Sequence, residues 1–83
     1  MIEQIISKGH YDFVGDIKDL KRRIGSFQII KTEINECFQD IEILVLLCEF
    51  SYHGHTHKVK VSKDYMNKEL LHIEYKGIKN DSR

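Results

Sequence analysis

Proline, tryptophan and alanine are all absent from this chain of 83 residues, while isoleucine and lysine are abundant. Missing proline and alanine with plentiful Ile and Lys is the signature of an AT-rich gene. It points to a low-GC bacterium, or to a phage or mobile element living in one. No charge of one sign dominates: 13 basic residues balance 13 acidic ones. Bulk attraction to nucleic acid, to an anionic membrane or to an acidic substrate is therefore excluded as a driving force. The longest apolar run, Ile41 to Phe50, carries two glutamates. It falls far short of the roughly 20 residues that a spanning helix needs. A basic segment followed by a long apolar stretch is missing at the start, so no signal peptide is expected. Glycine is scattered rather than clustered, which excludes a phosphate-cradling loop. There are only two cysteines, Cys37 and Cys48, and they read as reduced thiols of a cytoplasmic protein. Repeats, linkers and low-complexity stretches are also absent.

The apolar fraction, 41%, is that of a folded domain. A chain this short forms one domain and buries only about 60–65% of the surface its unfolded form exposes. Its core is thin, and a partner surface would help it.

Residues 1–14 read as a strand or a loose turn, since Ile2, Ile5 and Ile6 have helical spacing but β-branched residues and Gly9 limit a helix. Residues 16–24 form a short helix. Asp16 supplies the N-cap, Arg22 and Arg23 favour the C-terminal end of the dipole, and Ile17, Leu20 and Ile24 share one face. Residues 26–78 read as antiparallel strands rich in β-branched and aromatic residues, and 79–83 as a frayed tail. The expected fold class is α+β: a short helix packed on a single-layer, mainly antiparallel meander of four to five strands.

Three registers make the meander self-consistent. A turn at Gly54-His55 sets Phe50 against Val59, Cys48 against Val61 and Glu49 against Lys60. Val61 then pairs with Ile73, Val59 with Tyr75 and Lys60 with Glu74. Ile34 opposite Leu46 brings Ile30 to Phe50 and Lys31 to Glu49. The apolar face so built holds Ile30, Ile34, Leu46, Cys48, Phe50, Val59, Val61, Leu71, Ile73 and Tyr75, with the helix docked on it. Ile43, Val45 and Leu47 point to the other face, and a strand apolar on both sides requires cover on both.

Three classes of function follow. His53, His55 and His57 alternate, so on one regular strand they would share a face and suit zinc or another transition metal. The turn at Gly54 divides them between two arms, which favours a polar hairpin tip instead, and no cofactor is expected. Lys18, Lys21 and Arg22 on the helix, with Lys58 and Lys60 on a strand, are the candidate nucleic-acid contacts. The charge balance sets this reading below the others. The leading class is a non-enzymatic protein-binding module, an inhibitor or accessory protein. It would act through Ile43, Val45 and Leu47, rimmed by Tyr52 and His53, toward another protein or a second copy in a homodimer. No nucleophile, base and orienting group come together at sequence level, so no catalytic residue is assigned.

Overall fold

The computed structural model describes residues 1–38 and 41–79, with the side chains of 34–43 excluded. Two short helices precede and interrupt a five-stranded antiparallel sheet. The elements are α1 (Ile2–Lys8), β1 (His10–Val14), α2 (Ile17–Arg23), β2 (Gln28–Phe38), β3 (Ile41–Tyr52), β4 (His55–Lys63) and β5 (Leu70–Ile78). Strand order is β1-β5-β4-β3-β2, so β2 to β5 form a meander and β1 closes beside β5. The α+β class is as the sequence indicates. Among the described residues no helix is long and apolar enough to cross a membrane.

The segment before Gly15 contains both a helix and a strand. Helix α1 stops at Gly9, whose left-handed φ of 82° lets its N–H return to the Ile5 carbonyl. Strand β1 then alternates, with Phe13 buried and His10, Asp12 and Val14 exposed. Helix α2 begins with a reciprocal capping box. The Asp16 carboxylate accepts from the Asp19 N–H at 3.0 Å, and the Asp16 N–H donates to the Asp19 carboxylate at 3.1 Å.

Both helices pack on the same face of the sheet. The core there joins Ile5, Phe13, Leu20 and Ile24 to Leu46, Cys48, Phe50, Val59, Val61, Leu71 and Ile73. Among the described residues no helix packs against the opposite face. The predicted pairs Val61–Ile73, Val59–Tyr75 and Lys60–Glu74 all occur. A bulge after Lys58 then sets Lys58 opposite Gly77.

Two registers differ from expectation. The β3–β4 turn is His53-Gly54, not Gly54-His55, and both residues have positive φ, 51° and 79°. That is the backbone of a type I′ hairpin, whose twist matches the strands it joins. Phe50 therefore faces His57, Cys48 faces Val59, Glu49 faces Lys58 and Leu47 faces Lys60. The reason is that His57 behaves as a core residue. It is 5% exposed, its ring stacks on Phe50 with centroids 5.6 Å apart, and both ring nitrogens are satisfied. Moving the turn by one residue changes every partner but leaves every side chain on its face, which is why the core assignment survives.

The β2–β3 register differs because β2 carries two irregularities, between Ile29 and Lys31 and between Ile34 and Glu36. Lys31 consequently faces Leu47, and Thr32 faces Leu46. Ile30, expected in the core opposite Phe50, is 56% exposed at the first bulge. Ile34 is paired with Leu44, and its side chain lies outside the described residues. Of the tail, Lys79 is tied back: its N–H donates to the Thr56 carbonyl at 2.8 Å. Residues 80–83 lie outside the described set.

Candidate functional site

The hairpin tip does not gather the three histidines. His53 sits in the turn with its ring edge against Tyr52, centroids 4.1 Å apart, and is exposed like His55. His57 lies inside. Its Nε2–H donates to the Tyr52 carbonyl at 3.2 Å, and because a carbonyl only accepts, Nδ1 is left to accept from the Tyr75 hydroxyl at 2.8 Å. Neither ring nitrogen is free for a metal. Among the described residues, no three His, Cys, Asp or Glu groups come together to hold one. Tyr52 is itself tied to α1, its hydroxyl donating to Glu3 at 2.8 Å. That bond holds the Glu3 carboxyl below its usual range and the Tyr52 phenol above its own.

The candidate basic contacts are divided by the sheet. Lys18, Lys21 and Arg22 are exposed on α2, which packs on the core face, whereas Lys58 and Lys60 lie on the open face. Arg22 is paired with Asp19 at 2.6 Å, Lys58 stands beside Glu49 and Gly77, and Lys60 beside Glu74. Cys48 is buried, and burial pushes its thiol up to about 12, which makes it a packing residue rather than a nucleophile. The side chain of Cys37 lies outside the described residues.

The open face carries two rows across five strands. One reads His10, Glu74, Lys60, Leu47, Lys31, and the next Asp12, His72, Ser62, Val45, Glu33. A shallow cleft opens where Lys8, His10, Asp12, Lys60, His72 and Glu74 meet. A carboxylate–imidazole–carboxylate arrangement borders it. His72 Nδ1 lies 2.9 Å from Asp12 Oδ1, and Nε2 lies 2.8 Å from Asp64 Oδ1. Asp64 also accepts from the Met66 and Asn67 N–H groups, which ties the β4–β5 connection to the sheet. Hydrogen bonds to Asp64 and then Asp12 raise the His72 imidazole above its ordinary range, and the bond to His72 lowers Asp64. Both ring nitrogens are engaged by carboxylates, so neither is free to take a proton from a substrate. Sequence reasoning sets His72 opposite Ser62, as observed. It misses both carboxylates, because finding Asp12 requires β1 to be recognised as the strand beside β5.

Of the residues assigned to an apolar contact patch, Val45 is 2% exposed and Leu47 half-buried, so neither projects freely. The side chain of Ile43 lies outside the described residues. Exposed large apolar side chains lie elsewhere: Val14 on β1, Tyr65 and Met66 in the β4–β5 connection, Ile78 at the end of β5, and Ile29 and Ile30 on β2. Strand β2 is an edge of the sheet, eleven residues long. From Gln28 to Thr32 every side chain on it is exposed, with Ile29 at 37% and Ile30 at 56%. The other edge, β1, has five residues. No protein-family model, curated protein or solved structure matches the chain.

Proposed function

We propose that this chain is a small non-enzymatic protein-binding module that takes up its partner along the outer edge of β2. The observation that carries the reading is the pair Ile29 and Ile30, exposed side by side on a long edge strand. An edge strand offers unpaired backbone N–H and C=O groups, and an extended segment of another chain can extend the ladder there. Adjacent apolar side chains add burial to those hydrogen bonds. Tyr52 and His53 stand at the far end of the neighbouring hairpin, where they can form a rim. Within this class, the amino-acid composition favours an inhibitor or accessory protein of a phage or mobile element, working in a reducing cytoplasm that keeps its thiols free.

The test is a binding comparison between wild type and two variants, Ile30→Lys and Leu47→Lys, using peptides selected on the immobilised wild-type chain. The edge reading expects Ile30→Lys to lose the selected peptides while Leu47→Lys keeps them. Retention by Ile30→Lys with loss by Leu47→Lys would move the contact to the open face and refute it.

A further inference from the structure

Resting on β2 as the binding edge, we infer that its partner is a second copy of this chain, joined antiparallel through a two-fold axis at Thr32. The sequence of β2 is self-complementary about that residue. Pairing Thr32 with the second copy's Thr32 sets Lys31 opposite the second copy's Glu33, and Glu33 opposite its Lys31. Lys31 and Glu33 lie on the open face and already interact within the strand, Nζ to Oε2 at 3.1 Å. In the dimer these four charges alternate as a square, each lysine flanked by two glutamates. Thr32, on the other face and exposed, meets its own copy, which is a favourable cross-strand pair. The same register brings Ile30 alongside position 34, also isoleucine.

Neighbouring registers lack this match. An axis at Lys31 sets lysine against lysine, and an axis at Glu33 sets glutamate against glutamate. The bulges sharpen the choice. They flank Lys31 to Ile34, the stretch whose pairing with β3 runs without a shift. A short ladder of this kind gives a weak, reversible dimer in the class of transient contacts. The two-fold axis makes each β2 edge cover the other, so assembly closes at two copies. Bulges that discourage open-ended stacking and a charge pattern that admits one partner are compatible devices on one edge.

Charge-reversed variants test the pairing with the full chain. Sedimentation equilibrium of wild type from about 1 µM to 1 mM should show a concentration-dependent dimer, stronger at low salt than at high salt. Lys31→Glu alone and Glu33→Lys alone each create two like-charge contacts by symmetry and should dimerise about tenfold more weakly or worse. An equimolar mixture of the two variants restores both opposite-charge contacts across the axis, although neither chain regains its internal pair. The mixture should therefore recover the wild-type dimer mass, with one variant tagged to show that the pair is mixed. Lys31 is exposed and Glu33 half-buried, and circular dichroism verifies that the variants remain folded. A wild type that stays monomeric to about 1 mM overturns the inference, as does dimerisation that charge reversal leaves unchanged. If wild type is monomeric yet peptides still bind in an Ile30-dependent way, the second copy is refuted while the edge reading stands. Loss of both refutes both.

Discussion

His72 should give the stability of this protein a step near neutral pH. A neutral imidazole has one N–H, but His72 faces a carboxylate oxygen at each nitrogen, at 2.9 and 2.8 Å. Both contacts are hydrogen bonds only in the imidazolium. After deprotonation one of them sets a ring lone pair against a carboxylate. The folded-state pKa is raised above its ordinary 6.5, first by Asp64 and then by Asp12. The stabilisation is thus fully present below the unfolded value and is lost as pH rises through the folded value. The side chain is 42% exposed, so solvent screening limits the effect to about 1 kcal/mol. For a domain of this size that corresponds to a melting-temperature change of about 4–8 °C. Asp64 works in a separate window: its lowered pKa contributes above about 3.8 and fades as pH falls through the folded value. The assay is thermal unfolding of wild type and His72→Gln from pH 5.5 to 9, read as the difference between the two profiles. That difference cancels every pH effect that the two chains share. It should be largest at the acidic end of the range and vanish at the alkaline end. Parallel profiles would refute the reasoning.

Three further outcomes follow from the packing and the backbone. Phe50 is fully buried and stacked on His57, so Phe50→Ala should lose about 3–5 kcal/mol in urea unfolding, a large share of the total stability of a domain of this size. His53 holds φ of 51° in the β3–β4 turn, a region glycine enters without steric cost. His53→Gly should therefore leave stability unchanged or raise it by up to about 1 kcal/mol, whereas Gly54→Val, at φ 79°, should lower it by about 1–2 kcal/mol. The Cys48 thiol, pushed up to about 12 by burial, should resist thiol reagents in the native protein and react once denaturant is added. Its rate of modification then reports the opening of the core.

The parts of the fold that could be read from the sequence are those that depend on which face a residue takes. Alternation placed Leu46, Cys48, Phe50, Val59, Val61, Leu71 and Ile73 together, and all are in the core. It did so despite a misplaced turn, since a turn moved by one residue preserves the faces. Partners are a different matter. They depend on turn chemistry and on whether a histidine is counted as polar, and His57, with a phenylalanine under its ring and both nitrogens bonded, is apolar in effect. Residues 10–14 were hard to read because five residues between two glycines carry little periodic signal. With β1 unassigned, Asp12 had no route to His72.

Strand β2 marks where alternation itself fails. Each bulge inserts a residue and reverses the face of everything beyond it, so a strict period of two assigns Ile30 to the core when it stands in solvent. A bulge leaves no composition signal, because its cause lies in how two strands accommodate their twist. The consequence reaches function. The stretch whose faces the pattern misassigns is also one where apolar side chains, Ile29 and Ile30, reach the surface. A sequence that alternates cleanly would have buried Ile30 and left β2 an ordinary polar edge. The departure from regular pairing is what exposes Ile30, and it leaves Lys31–Ile34 as the regularly paired segment whose charges, in the proposed dimer, select their own complement.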